Sequence, residues 1–309
     1  MAKREADAES PPPKKSCSES SKQSSPKKGL TSLSDVETLR NGVNMPLLGL
    51  GTSHNGGYSH EAVVRSLRLG VRMIDTATRY GCEEQIAEAI EESGVPRSEI
   101  FITTKLFYED YGYDNTLRSF EKSLARLKTD YIDLYLMHWP GTKSNKDNRR
   151  VRAETWRALV HLYETGKARA IGVSNFMILH LTQLIEDCRE VPHVNQVECH
   201  CFNHPTRLVA FCRAAGIAFQ GYCPLAKGQL LDHPTVIEMA QRYPGSTPAQ
   251  LCIRWNLQHG YICIPKSTKI HCVVENFDVF HFDISADDMA LLDGLHDGRH
   301  VTWNPTNVP

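Results

Sequence analysis

Asp75, Lys105 and His138 each stand at the end of a short apolar run, and Tyr80 follows Asp75 by five residues. These side chains handle protons and charge. A phenol has an ordinary pKa of about 10, so Tyr80 is protonated at neutral pH and able to donate. An ammonium such as that of Lys105 would favour phenolate and ease the transfer if the fold set it beside the phenol, and a carboxylate such as Asp75 would keep that ammonium charged and aimed. His138 can hydrogen-bond an oxygen. Singly, each has a plainer reading: a helix N-cap for the Asp, a solvated Lys, a satisfied core His. Their order and their neighbours make the set more specific.

The elements that must position them alternate. Val36 to Pro46 reads as a hairpin turning at Asn41-Gly42. Strands are expected at Leu47–Gly51, Arg72–Thr76, Ile100–Thr104, Tyr131–Met137, Ala168–Val173, Val194–Val197, Ile217–Tyr222 and Tyr261–Ile264. Helical patterns fall between them, at Ser59–Leu69, Glu83–Glu92, Asn115–Leu127, Ala153–Thr165, Leu179–Asp187, Thr206–Ala215 and Thr247–Gln258. Eight β–α steps over about 275 residues match an α/β fold of the (β/α)8 TIM-barrel type, whose chemistry sits where strands end. The N-terminal hairpin would cap it. Gly49-Leu50-Gly51 is followed by Thr52-Ser53-His54, so the dinucleotide fingerprint of a doubly wound sheet fails. Phosphate-loop, Gly-x-Ser-x-Gly and His-Glu-x-x-His motifs are missing too.

Composition narrows the class. The 309 residues carry 35 basic and 36 acidic side chains, giving no global attraction to nucleic acid or anionic membrane. No apolar run is long enough to span a bilayer, and no secretory leader is visible. Residues 1–34 are rich in Ser, Lys and Pro and are expected to be a disordered tail, leaving 35–309 as the barrel domain. Lys14-Lys15 and Lys27-Lys28 raise nuclear import against a cytoplasmic default. The ten cysteines are scattered, which suits free thiols in a reducing compartment. Cys199-His200-Cys201-x-x-His204 does not have the spacing of a usual zinc site, so no metal is expected.

The runs Asp75-Thr-Ala…Tyr80-Gly81, Ile102-Thr-Thr-Lys105, Leu136-Met-His138-Trp-Pro140, Gly172-Val-Ser-Asn-Phe176 and Ile264-Pro-Lys-Ser267 resemble the aldo-keto reductases, over about residues 36–309. The resemblance implies NADPH-dependent reduction of aldehydes and ketones, with Asp75, Tyr80, Lys105 and His138 as the catalytic tetrad. It also implies that Ser174, Asn175 and Gln196 hold the nicotinamide carboxamide and that Tyr222 stacks on its ring. Pro224, Leu225, Gly228, Lys266, Ser267 and Thr268 would meet the phosphates, Glu275 and Asn276 the adenine, and Gly51 and Thr52 the cofactor at the first strand. A partner other than a small carbonyl compound is not implied, and the chain is taken as a monomer. The other function class is a cofactor-binding regulatory or structural protein with little turnover.

Departures from the family set further expectations. Ser53 and Phe107 stand where relatives similar to aldose reductase carry Trp, leaving Phe107, Trp139, Tyr80 and His138 as pocket walls. The loop after the fourth strand is polar, and only Trp303 to Pro309 lie where some members carry a long C-terminal loop. An open, less aromatic pocket for small aldehydes or dicarbonyls is expected. Cys272 occupies the place where NADP-preferring relatives commonly carry an Arg.

Overall fold

In the computed structural model, residues 30–53, 56–188 and 190–309 are described. The hairpin β1 (Val36–Thr38) and β2 (Asn44–Pro46) pairs antiparallel, and Gly42 takes the positive φ of 84° that its turn needs. The chain then alternates: β3 (Leu50–Gly51), α1 (His60–Arg68), β4 (Met73–Asp75), α2 (Glu83–Ser93), β5 (Phe101–Leu106), α3 (Tyr113–Leu127), β6 (Ile132–Met137), α4 (Asn148–Glu164), β7 (Ala168–Ser174), α5 (Ile178–Asp187), β8 (Val194–Glu198), α6 (Thr206–Ala214) and β9 (Ala218–Tyr222). There follow α7 (Pro234–Ala240), α8 (Pro248–Gln258), β10 (Ile262–Ile264), α9 (Ile270–Phe277) and α10 (Ala286–Asp293).

Strands β3 to β10 pair in sequence order, and every pair is parallel. The ring closes where Cys263 N–H donates to Leu47 O at 2.8 Å and Gly49 N–H donates to Cys263 O at 3.0 Å. The fold is therefore the expected (β/α)8 barrel with its hairpin cap. The first strand is shorter than expected because Leu47 to Gly49 join the ring through single bridges rather than a continuous ladder. Helices α7 and α10 are additions that the eight-step reading did not contain.

Apolar strand residues fill the barrel. The strands β5 and β6 are buried at every position, as parallel strands covered on both faces must be. Gly172 is required inside: the Val194 carbonyl oxygen occupies the space that a Cβ there would need. Helix starts carry the expected caps, with Ser59, Thr247 and Ser285 accepting from N–H groups of the first turn.

The expectation of a disordered tail lies, for residues 1–29, outside the described residues. Residues 30–34, assigned to that tail from composition, lie against the barrel instead. Leu30 and Leu33 pack on the core, and Leu30 O accepts from buried Arg254 at 3.4 Å. Two leucines among serines give too weak a pattern to show this in sequence. Among the described residues, no helix is long and apolar enough to cross a membrane, and all nine cysteines are free thiols.

Among the described residues, burial lowers the pKa of three buried histidines: His180, His193, and His204, which falls to about 4. An unfolded chain protonates them near 6.5, while the folded chain resists. Their contribution is therefore present above pH 6.5 and is lost as pH falls toward 4. The melting temperature is expected to drop steadily between pH 7 and pH 5 in a scanning-calorimetry series. A flat profile would show that these imidazoles take up protons without disturbing the core.

Candidate active site

The site lies at the strand ends. Asp75 closes β4 and pairs in register with Gly51 on one side and Thr103 on the other. Lys105 lies two residues further along β5, so its side chain points to the same face as Thr103. Its Nζ reaches Asp75 Oδ1 at 2.5 Å and Thr76 O at 2.9 Å. The other carboxylate oxygen accepts from Gln196 Nε2 at 2.7 Å, and that amide also donates to Gln220 Oε1 at 2.9 Å. Both ends of the ion pair are buried, Lys105 at 0% exposure and Asp75 at 3%.

A single 3₁₀ turn, Thr78–Tyr80, follows β4 and carries the phenol. Thr78 Oγ1 donates to Lys105 O at 2.5 Å, which ties the turn to β5. Tyr80 OH lies 3.5 Å from His138 Nε2, and Lys105 Nζ lies 5.2 Å from the centre of the Tyr80 ring. His138 follows β6 and is fixed by its N–H to Leu106 O at 2.9 Å. The four residues expected at one centre do meet there.

The electrostatics differ from the sequence expectation in one respect. Burial, then the Asp75 charge, push the Tyr80 phenol well above its ordinary range. Lys105 was expected to pull it down. Asp75 cancels most of that effect, because the two charges sit 2.5 Å apart and act on the ring as a near-neutral pair. Burial also pushes Lys105 down and Asp75 up, and each partner's charge draws the other back. Tyr80 is therefore held as a proton donor.

A cavity of about 490 Å³ opens above this centre. Of the residues expected there, Gly51, Asp75, Tyr80, His138 and Trp139 line it, with Ser174, Asn175, Gln196, Tyr222, Pro224, Leu225, Gly228 and Lys266. Tyr222 OH donates to Asn175 Oδ1 at 2.8 Å, and Asn175 Nδ2 donates to His138 O at 2.9 Å. Asn175 takes φ 64°, a left-handed conformation that Asn tolerates better than most residues. A groove of about 540 Å³ shares Gly56, Leu225 and Lys266 with the cavity, and Ser267, Thr268, Cys272, Glu275 and Asn276 line it. Three expected residues do not reach the cavity surface. Lys105 lies beneath it, buried Thr52 bonds Asp75 O at 2.9 Å, and Phe107 backs His138 with ring centres 5.9 Å apart.

Other lining residues were not anticipated: Ser53, Arg79, Cys223, Lys227, Thr302 and Trp303. Trp303, whose ring lies 5.5 Å from Trp139, adds an aromatic wall that the sequence reading did not include. Glu198, at the end of β8, places it. Its buried carboxylate accepts from the N–H groups of Val301 at 2.6 Å and Thr302 at 3.1 Å, from the Thr302 hydroxyl, and from His200 Nε2 at 2.9 Å. Burial opposes ionisation of Glu198, but bonds from His200, His300, Thr302 and Val301 outweigh it and hold the carboxyl well below its usual range. An unpaired Trp in a Pro/Asn-rich segment was the signal available in sequence.

The Cys199, His200, Cys201 and His204 side chains do not converge. The Cys199 and Cys201 thiols are in the core, His200 bonds Glu198, and His204 bonds Tyr261 OH at 2.7 Å. Among the described residues, only His204, His259 and Asp293 bring three ligand atoms together, and Asp293 already accepts from Trp255 Nε1 and His259 Nε2, both at 2.9 Å.

Residues 47–297 match the model of the aldo/keto reductase family. The chain belongs to that family. It is 47% identical over 280 residues to a glyoxal reductase of Bacillus subtilis, covering 90% of this chain and 99% of that one. The crystal structure of an aldo-keto reductase from a Medee basin deep-sea metagenome library superposes with a TM-score of 0.82 at 40% identity, covering 89% of this chain and all of that one. A Bombyx mori aldo-keto reductase solved in complex with NADP gives 0.80 at 32% identity, with coverage of 89% and 96%.

In this aldo/keto reductase the buried ion pair generates a stability prediction. Replacing Lys105 by Met strands the Asp75 carboxylate, which typically costs about 3–5 kcal/mol. Chemical denaturation at pH 7 should show that loss. Part of it should return as pH is lowered, because burial raises the pKa of the stranded carboxyl and it takes up a proton in the folded chain before it would in the unfolded one. A variant as stable as the wild type at pH 7 would mean that water already reaches the pair.

Proposed function

We propose that the chain reduces small aldehydes, dicarbonyls or ketones to alcohols with NADPH, and that Tyr80 is the general acid. The observation that carries this reading is the contact of Tyr80 OH with His138 Nε2 at 3.5 Å above the buried Lys105–Asp75 pair. The cavity and the groove adjoin at Gly56, Leu225 and Lys266, and their residues suit an extended dinucleotide. The Tyr222 ring offers a flat apolar face in the inner cavity. Lys227 lines the cavity, Lys266 lines both cavity and groove, and Lys269 lines the groove, which suits phosphates. A bound nicotinamide would supply the hydride.

The remaining steps belong to side chains of the chain. His138 and Tyr80 hydrogen-bond the carbonyl oxygen, fixing its orientation. Negative charge gathers on that oxygen as its carbon is reduced, and Tyr80 donates the proton that quenches it. Lys105 is the cation facing the phenolate then left behind, and Asp75 holds Lys105 in place. Gln196 fixes Asp75 in turn. The site is complete within one chain, which supports a monomer acting on a small molecule. We place it in the cytoplasm on the reducing conditions that scattered free thiols favour.

Following NADPH consumption with methylglyoxal or 4-nitrobenzaldehyde tests the reading. Tyr80→Phe is expected to lower kcat at least a hundredfold while NADPH affinity stays within about twofold, since the hydroxyl acts only in the chemical step. Activity retained within about threefold would remove Tyr80 from the acid role. Tight NADPH binding without turnover in the wild type would favour a regulatory protein.

Cys272 lines the groove beside Lys269 and Glu275. A thiol cannot replace the planar donor fork of an Arg toward a 2′-phosphate. NADPH is expected to bind more tightly than NADH through Lys266 and Lys269, but by a modest margin. Cys272→Arg should tighten NADPH by about one to two powers of ten, the worth of one charged hydrogen-bonding partner, with NADH unchanged. Fluorescence titration of both cofactors measures this. NADH binding at least as tightly as NADPH in the wild type would overturn the choice of cofactor.

A further inference from the structure

Arg79 sits on the catalytic turn, one residue before Tyr80, and lines the same cavity. Its guanidinium carbon lies 4.4 Å from the centre of the Phe107 ring and 5.5 Å from that of Trp303. Phe107 and Trp303 thus contact the cation through their rings. Ring contacts of this kind leave the in-plane N–H fork available, and that fork matches the two oxygens of a carboxylate.

No carboxylate among the described residues forms an ion pair with Arg79, although Arg40, Arg72, Arg97, Arg126, Arg149 and Arg254 each have one. The cavity gives it no competitor either. Asp75 is the one carboxylate among its described lining residues, and both Asp75 oxygens are taken, by Lys105 and Gln196. A cation held by two rings at the rim of a reaction cavity, with no ion pair to a carboxylate among the described residues, is suited to an anion on the substrate.

We propose that Arg79 is a carboxylate-binding residue, and that the preferred substrates are carbonyl compounds bearing a carboxylate a short distance from the reacting carbon. The inference rests on the reductase reading above and names the substrate class for that site. Geometry sets the spacing. Phe107 contacts both Arg79 and His138, with ring centres 5.9 Å apart in the second contact. The guanidinium and the imidazole are therefore neighbours across a single Phe side chain, a separation that a small aromatic acid can span. Formylbenzoates and short-chain oxo acids have that reach. Their carbonyl carbon gains a hydride from NADPH, which leaves as NADP, and the oxygen gains a proton from Tyr80. The carboxylate is held and released unchanged.

The experiment compares 4-carboxybenzaldehyde with 4-nitrobenzaldehyde, which has the same planar outline and no net charge. The readout is the ratio of their kcat/KM values, so differences in intrinsic reactivity cancel between variants. Arg79→Leu is expected to lower that ratio at least tenfold through a raised KM for the carboxylate, and Arg79→Lys should restore part of it. Added salt should erode the ratio in the wild type and leave it flat in Arg79→Leu. A role limited to holding the Tyr80 turn would move both substrates together and leave the ratio unchanged, which overturns the proposal while the reductase reading stands. Failure of the wild type to reduce either aldehyde with bound NADPH overturns both. Benzoate binding adds a readout free of turnover. Calorimetry should show it weakened at least tenfold in Arg79→Leu, and equal affinity in both proteins would count against the assignment.

Discussion

Two opposite charges buried at the end of a barrel strand set the terms for the whole site. Taking an ammonium and a carboxylate out of water costs several kcal/mol for each, and their attraction offsets this only if the geometry is tight and the remaining polar positions are filled. Here they are filled. Lys105 also bonds Thr76 O, and the second oxygen of Asp75 accepts from Gln196, which is itself tied to Gln220. These partners come from β4, β5, β8 and β9, so the charge pair depends on the register of strands across the barrel. A closed ring of parallel strands provides that register, since a slip of one residue would turn each side chain to the other face.

A second buried carboxylate shows what distinguishes a site from a structural pair. Asp133, near the start of β6, accepts from Ile102 N–H and from Arg97 and Arg169, both of which keep some contact with solvent. Its partners are long side chains that reach in from the rim. Lys105 and Asp75 have no such exit, and the groups next to them are a phenol and an imidazole facing a cavity. Glu198 stands between these cases. It is buried and fully bonded, yet beside His200 and the Thr302 hydroxyl its partners include the main-chain N–H groups of residues 301–302, so its charge organises a segment over the cavity.

The strands and the tetrad were legible in the sequence for one reason. A polar residue that ends a buried strand interrupts an apolar run, and the interruption stands out without any knowledge of the fold. Asp75, Lys105 and His138 are all of this kind. Arg79 was not legible, because an Arg in a turn is ordinary and its meaning comes from Phe107 and Trp303, residues 28 and 224 positions away in sequence. Leu30 and Leu33 were hidden in a polar segment, whereas the spacing of Cys199, His200, Cys201 and His204 already argued against a shared metal site. The lowering of the Tyr80 pKa expected from Lys105 is opposed by burial and by the Asp75 charge, for a related reason: neighbours can be read from motifs, but burial and the distance between two charges cannot.

The rim of this barrel is built separately from the buried centre. Asp75 and Lys105 are placed by strand register, while Tyr80 sits on a 3₁₀ turn tied to β5. Arg79, Trp139 and Trp303 lie one layer further out, on a turn, a strand end and a segment held by Glu198. None of them is hydrogen-bonded to the Lys105–Asp75 pair, so side chains at the rim can vary without removing a partner of that pair. Arg79 is the sharper case because it shares a turn with Tyr80, and Thr78 anchors that turn to β5. The same anchoring that places the phenol places the guanidinium beside it, so the proposed carboxylate contact and the proposed acid would be positioned by one piece of structure.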